Sequence, residues 1–357
     1  MRASELPACR YRFLGHGFEI RSDAATVLQA FDHIYARFRM PEKMSAKAST
    51  VSLCLRTQEG AGGPGLEVNG KSFPIGTEDW SGQIYFHVLT YLFEVVTEYL
   101  ILHGSVIQRD GRAVIVSGSS TAGKTTLAVA LAKRGHPLLS DELAPVHRTR
   151  REVEPFPRRI GIRQQGEFKQ LVDIEELPNG RLGDACKPGA IFLLTPRHDA
   201  TVDVPGCRTI ELGLNRMDAA FTADLEAWPE VARVDVLSDR YFPTVRLTVR
   251  PTPLIERIDA CCRKYGVAIV QFIEGRTTPP DFTATPELTR LTGSAGLIEV
   301  AKQVLNGRAP SRLQADLGGS QAALIMELAN TLGDVPIYCL TPGRLDELVQ
   351  IIEDTPI

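Results

Sequence analysis

The chain has 357 residues, 43% of them apolar and 23% charged, and its 40 basic and 43 acidic residues leave a formal charge of -3. These proportions exclude a disordered or collagen-like chain and allow two domains, or one large domain with additions. The even charge balance excludes a global footprint for nucleic acid or an anionic membrane, so neither is expected as a partner.

The N-terminal part reads as mixed α/β. Tyr11 to Ile20 alternates like a strand, and Ala24 to Phe38 has helical spacing at Val27, Phe31, Ile34 and Phe38 with Asp23 as its N-cap. Val51 to Leu55 is a short strand, Gly60 to Gly65 a glycine-rich break, and Leu66 to Ile75 a strand pair. Glu78 to Leu100 predicts a long amphipathic helix through Tyr85, Val88, Leu89, Leu92, Val96 and Tyr99. The most apolar helical stretch, residues 84 to 102, contains Glu94 and Glu98 and fits a core helix better than a membrane span. From His103 onward a strand, turn, strand, loop, helix and strand follow in series. Residues 189 to 195, 243 to 249 and 267 to 273 read as later strands. Beyond Pro286 helical patterns dominate, ending in a strand at Pro336 to Leu340 and a helix at Arg344 to Ile352.

The strongest signal is Gly118-Ser119-Ser120-Thr121-Ala122-Gly123-Lys124-Thr125, which fits G-x-x-x-x-G-K-[ST]. Glycines let backbone N–H groups turn inward around phosphate oxygens. Lys124 reaches the β and γ phosphates, Thr125 offers a hydroxyl to Mg²⁺, and Thr126 completes the nucleotide-binding stretch. The apolar run Ala113 to Val116 is the strand before the loop. Leu127, Ala130 and Leu131 give the following helix its apolar face, and Gly135 stops it.

Geometry brings two more positions to this loop. Asp110-Gly111 is a two-residue hairpin turn, so Arg109 pairs with Arg112 and, counting outward, His103 pairs with Gly118. The helix from Gly123 to Arg134 advances roughly 18 Å at 1.5 Å per residue. The strand from His136 to Asp141 returns roughly 20 Å at 3.3 Å per residue, parallel to the strand before the loop. Asp141 and Glu142 then stand at the carboxyl edge of the sheet, where a carboxylate holds Mg²⁺ or takes a proton from an attacking hydroxyl.

Residues 148 to 169 carry Arg148, Arg150, Arg151, Arg158, Arg159, Arg163 and Lys169. Arg158 and Arg159 are candidates to grip ATP or an acidic acceptor, and the others read as surface. The other histidines show no metal-ligand spacing, and Asp281 reads as a turn residue. The seven cysteines (9, 54, 186, 207, 261, 262 and 339) are scattered and form no C-x-x-C pair. They are expected to be buried thiols of a cytoplasmic protein, with the adjacent pair Cys261-Cys262 in a helix core. No N-terminal stretch reads as a signal peptide.

Together, His103-Gly104, the hairpin, the loop from Gly118 to Thr125, Lys133-Arg134-Gly135-His136 and Ser140-Asp141-Glu142 resemble the catalytic domain of HPr kinase/phosphorylase, over about residues 103 to 165. They resemble more closely the bacterial HPr-kinase-related proteins, some of which phosphorylate peptide natural products, including lasso peptide precursors. The resemblance implies a phosphate-loop fold related to phosphoenolpyruvate carboxykinase rather than to eukaryotic protein kinases. It implies that Asp141 is the base activating a serine hydroxyl, that His103 assists it, and that Thr125 binds metal. Two positions depart from HPr kinase proper, which has a second aspartate where this chain has Glu142 and an acidic residue where it has Thr126. The later glycine-rich signature of the phosphorylase reaction is absent as well. These departures argue against HPr itself as substrate and against the reverse reaction. The related kinases commonly carry Asp-Glu followed by a proline-arginine segment, here Pro157-Arg158-Arg159.

The expectation is thus an α/β protein with three parts. Residues 1–100 form an N-terminal mixed α/β domain, 101–285 an HPr-kinase-like P-loop catalytic domain, and 286–357 a helical C-terminal region ending in a strand-helix unit. The expected activity is transfer of the γ-phosphoryl group of ATP, with Mg²⁺, to a hydroxyl, foremost a Ser or Thr of a peptide or protein. The alternatives are a sugar or cyclitol kinase and a nucleotide-binding regulator or ATPase without acceptor. HPr kinase is a homo-oligomer, an assembly that the residues of this chain do not by themselves imply.

Overall fold

The computed structural model describes residues 6–41, 51–56, 65–68, 71–74, 80–118, 122–163, 169–195, 206–214, 216–237, 243–267, 269–274, 281–307 and 311–357. The chain divides into two compact units, Met1–Leu92 and Phe93–Ile357.

The first unit contains β1 (Ala8–Phe13), β2 (His16–Ser22), α1 (Ala25–Tyr35), β3 (Val51–Arg56), β4 (Gly65–Val68), β5 (Lys71–Pro74) and the start of α2 (Trp80–Val95). Its strands form one sheet in the order β1-β2-β3-β4-β5. The single strand expected over residues 11–20 is instead the β1-β2 hairpin, turning at Leu14 and Gly15 with φ of 48° and 88°. Leucine is not a turn residue, so nothing at position 14 announces the left-handed conformation. Tyr11, Phe13, Phe18 and Ile20 point to a core shared with Phe31 and Tyr35 of α1. Asp23 does not cap α1. The N-cap is Ala24, whose N–H is bonded by Ser22 Oγ at 3.1 Å.

The helix expected to reach Leu100 ends at Val95, and a strand begins at Tyr99. Leu100, Ile101, Leu102, Val106 and Ile107 are all buried, each at most 1% exposed. A strand covered on both faces reads as a continuous apolar run, in which the helical and strand periods coincide.

The second unit contains β6 (Tyr99–Arg109), β7 (Arg112–Gly118), α3 (Lys124–Lys133), β8 (Leu138–Ser140), β9 (Leu143–His147), β10 (Ile160–Arg163), β11 (Lys169–Val172), β12 (Pro188–Leu194), β13 (Arg208–Leu214), α4 (Ala219–Glu226), β14 (Val231–Leu237), β15 (Thr244–Val249), α5 (Ile255–Tyr265), β16 (Ile269–Glu274), β17 (Leu288–Leu291), α6 (Gly293–Ala301), α7 (Arg312–Asp316), α8 (Gln321–Leu332), β18 (Ile337–Leu340) and α9 (Leu345–Asp354). Its main sheet runs β17-β18-β12-β7-β6-β8, and β9 also pairs with β6. The central strands β18, β12 and β7 are parallel. β8 runs in the direction of β7, as the crossover predicts, but β6 lies between them and is antiparallel to both.

The alternation of β7 explains its all-apolar reading. Val114 and Val116 face a cluster with Leu127 and Leu131 of α3 and Val349 and Ile352 of α9. Ala113 and Ile115 face the opposite cluster, with Val300 of α6 and Leu324 and Leu328 of α8. The chain after Pro286 therefore contributes β17 and β18 to the main sheet and covers both its faces with helices. Between β12 and β17 the chain adds a second antiparallel sheet, β14-β15-β13-β16, built from a β-α-β-β-α-β series with α4 and α5 packed on it. Cys261 and Cys262 are both buried in its core, and the described cysteines are all free thiols. Among the described residues no helix is long and apolar enough to cross a membrane.

Candidate active site

The site is assembled by the register of β6 with its neighbours. Asp110 and Gly111 take positive φ (50° and 73°), closing a two-residue turn that pairs Arg109 with Arg112 and Gly104 with Ser117. His103 thereby lies beside Gly118, and Ser117 Oγ donates to the His103 carbonyl at 2.6 Å. On the other edge of β6, Val106 pairs with Ser140 and His103 with Leu143. Ser105 and Gly104 therefore stand opposite Asp141 and Glu142. The backbone agrees: Gly104 N donates to Glu142 O at 2.9 Å, and Ser105 Oγ to Asp141 O at 2.9 Å. Ser140 Oγ accepts from the N–H groups of Glu142 and Leu143 at 3.2 and 3.1 Å, which bends the chain at the acidic pair. Gly104 is required here, because a Cβ would stand 2.8 Å from the Val116 carbonyl oxygen.

The loop leaves β7 at Gly118, whose φ is 145° and whose absent Cβ would fall 2.4 Å from Leu194 O on β12. Ser119, Ser120 and Thr121 lie outside the described residues. Ala122 is buried, and Gly123 (φ 98°) takes the left-handed conformation at the N-cap of α3. Lys124, 8% exposed, donates from Nζ to Gly118 O at 2.9 Å. Thr125 is half-buried at the first turn of α3, where the helix end favours anions, and Thr126 is exposed.

Asp141 is 4% exposed. Arg158 donates from Nε to Oδ1 and from Nη2 to Oδ2, both at 3.1 Å, and its Nε lies 2.7 Å from Glu142 Oε2. Burial pushes the Asp141 carboxyl up to about 6 and Glu142 adds to the rise, while Arg158 opposes it. His103 is held well below its usual range, first by burial and then by the charge of Lys124, so the imidazole is neutral. Asp141 is thus a buried carboxyl with a raised pKa, at the same edge of the sheet as an uncharged histidine.

Arg158 is thereby found on the carboxylates, and Arg159 lies half-buried beside it. Arg148 pairs with Glu327 of α8 and Arg150 with Glu154, away from this cluster. The side chains of Arg163 and Lys169 lie outside the described ones.

Glu142 Oε2 is buried and makes no hydrogen bond among the described residues, although it lies within ion-pair distance of Arg158. With the Thr125 hydroxyl it supplies hard oxygens. Among the described residues no group of three or more His, Cys, Asp or Glu side chains is arranged so that it could hold a metal ion. Two protein oxygens fit Mg²⁺, which keeps several waters and is completed by substrate phosphates, better than an ion caged by protein alone. Sequence reasoning missed Ser105 and Ser140, which orient the acidic pair, and the Gln303 carbonyl, which accepts from His103 N at 2.9 Å. Ser140 stood next to the pair and carried a turn signal. Gln303 carried none, being 200 residues from its partner.

No protein-family model matches the chain. Part of it is similar to curated HPr kinase/phosphorylases. That of Limosilactobacillus reuteri (strain DSM 20016) is 34% identical over 73 residues, 20% of this chain and 23% of that protein. That of Nitrosomonas europaea is 33% identical over 82 residues, 23% of this chain and 25% of that protein. The chain thus spans about a quarter of the length of the relatives it matches. Among solved structures, the Hpr(Ser) kinase/phosphatase from Coxiella burnetii is 21% identical, covering 30% of this chain and 75% of that one with a TM-score of 0.24.

Proposed function

We propose that the second unit is an ATP-dependent phosphotransferase of the HPr-kinase-like, phosphate-loop type that moves the γ-phosphoryl group to a Ser or Thr hydroxyl of a peptide or protein. The observation that carries this reading is the register of β6, which sets His103 beside the loop glycine Gly118 on one edge and the Asp141–Glu142 pair, with Asp141 buried, along the other. The similarity to HPr kinase/phosphorylases adds to it.

Lys124 exchanges the Gly118 carbonyl for the β and γ phosphate oxygens, and backbone N–H groups of the loop and of the first turn of α3 cradle the rest. Thr125 and Glu142 are the residues that hold Mg²⁺, which when bound neutralises phosphate charge. Asp141 takes the proton of the acceptor hydroxyl as its oxygen attacks the γ phosphorus and the bond to the ADP oxygen breaks. Each oxygen of Asp141 accepts one bond from Arg158 and keeps a lone pair for that proton. His103, neutral at the same edge, adds no second positive charge that would hold Asp141 ionised. Because phosphoryl transfer asks for little covalent help, positioning and charge neutralisation carry the rate. The departures at Glu142 and Thr126 favour a peptide acceptor such as the precursors modified by HPr-kinase-related enzymes over HPr.

The test is transfer from γ-labelled ATP with Mg²⁺ in host lysate, comparing wild type with Asp141→Asn. Label on a peptide or protein with wild type alone is the expected result. Label only among small molecules makes the protein a metabolite kinase. ATP hydrolysis that is the same in both, with no labelled product, leaves a nucleotide-binding regulator and overturns the kinase reading.

A further inference from the structure

The segment Asp281–Glu287, which enters β17, crosses the carboxyl edge of the main sheet and is pinned there. Asp281 Oδ1 accepts from Thr283 N at 2.9 Å and from Thr283 Oγ1 at 2.7 Å. Arg344 N donates to Ala284 O at 2.9 Å, and Arg344 Nη2 to Thr285 Oγ1 at 3.1 Å. Glu287 N donates to Thr341 Oγ1 at 2.7 Å, and Thr341 N returns a bond to Glu287 O at 3.0 Å. Gly343 leaves room for this crossing, since a Cβ there would stand 2.5 Å from Ala284 O. Thr341, Gly343 and Arg344 all follow β18, so the segment is fixed beyond the strand end, where parallel sheets bind ligands.

Phe282 rides on this anchored segment with 50% of its surface exposed. Its ring lies against the loop: a Cβ on Gly123 would come 3.2 Å from Phe282 Cε1. A large aromatic ring on an anchored backbone, half in water and close to the residue before Lys124, offers apolar surface to a ligand. The phosphate loop grips only the triphosphate. It leaves the base of a nucleotide without a partner, and a flat aromatic face is what a base stacks on.

We propose that Phe282 is the platform on which the purine base of the bound nucleotide stacks, an inference that rests on reading residues 118–125 as a phosphate loop. Every base has a π face, so the platform favours nucleoside triphosphates over bare triphosphate and discriminates little between adenine and guanine. Phe282 is thus a binding residue whose contribution depends on the base and not on the phosphates.

The experiment is calorimetric titration of the full chain with Mg²⁺ and ATP, GTP or inorganic tripolyphosphate, for wild type, Phe282→Ala, Phe282→Leu and Phe282→Tyr. Phe282→Leu keeps apolar bulk against Gly123 without a ring, and Phe282→Tyr restores the ring. The expected result is a loss of about tenfold or more in affinity for ATP and GTP alike in the Ala and Leu variants, with tripolyphosphate affinity unchanged and the Tyr variant near wild type. Equal weakening of ATP and tripolyphosphate overturns the proposal, because the ring then only props the loop. Unchanged ATP affinity in both truncations overturns it too. In either case the phosphate loop stands. Wild type that binds neither ATP nor tripolyphosphate overturns the phosphate-loop reading together with the platform.

Discussion

Arg158 covers both carboxylate oxygens of Asp141, with two bonds of 3.1 Å, in a pocket where Asp141 is 4% exposed. The pair joins a residue at the end of one strand to an irregular segment 17 residues later. Two opposing effects meet on one carboxyl: burial favours its neutral form, and the guanidinium favours its ionised form.

Removing the guanidinium leaves the buried Asp141 and the partly buried Glu142 without that cation. Arg158→Met is expected to cost about 3 kcal/mol or more at pH 7.5, the range for breaking a buried pair from one side. The cost shrinks at pH 5, where Asp141 binds a proton and the stranded charge disappears. Urea unfolding at the two pH values checks this. An equal loss at both would show that Arg158 acts through packing alone.

The raised pKa of Asp141 has a sign in both activity and stability. The folded carboxyl titrates near 6, above its ordinary value of 3.8. Its neutral form therefore stabilises the fold below about pH 4, and that contribution is lost as pH rises towards 6. With Asp141 as the proposed proton acceptor, transfer is expected to rise over the same window. Asp141→Asn is expected to lower transfer by about 10²- to 10⁴-fold, to spare ATP binding, and to flatten both pH profiles in this window. A rising limb that persists in the variant's residual rate would assign the titration to another group.

Lys124 depresses His103 through its charge. Lys124→Met is expected to abolish turnover and to raise the pKa of His103, which burial still holds below 6.5. NMR titration of the His103 ring measures this directly. No change would mean that the two side chains do not sense each other.

Gly118→Ala brings a Cβ to within 2.4 Å of Leu194 O on a neighbouring central strand, at a φ of 145° that disfavours a side chain. A backbone oxygen in a sheet cannot step aside. The expected effect is a loss of about 1–3 kcal/mol and of nucleotide binding. Gly135→Ala is the control: its φ of 97° carries the backbone strain, but nothing lies within 4 Å of the added methyl. Thermal unfolding of the pair separates steric conflict from strain, and equal shifts would remove the close-approach argument.

Much of the site could be read locally. The phosphate loop is a contiguous motif, and the Asp110-Gly111 turn sets the hairpin register because two residues with positive φ admit one pairing. That register carries His103 to Gly118 by counting alone. Helix and strand arithmetic brings Asp141 to the same edge and gives β8 the direction of β7, while the arithmetic is silent on β6 lying between them. The end of α2 was illegible for a different reason: Tyr99 to Ile107 is buried from both sides, and such a run erases the period that separates helix from strand.

The sequence by itself determined the residue types available: a G-x-x-x-x-G-K-[ST] motif with its lysine and threonine, and an acidic pair, each written in a few adjacent residues whose backbone needs are local. Only the tertiary structure decided what surrounds them. Arg158 turns to Asp141 and Glu142 because a buried carboxylate and a partly buried one beside it are stabilised by a cation. Gln303 meets His103, and Phe282 meets Gly123, through contacts that join strands and loops 159 or more residues apart. Such contacts leave no periodicity or spacing behind, because they are settled by which faces the sheet must bury and where the connecting segments then pass.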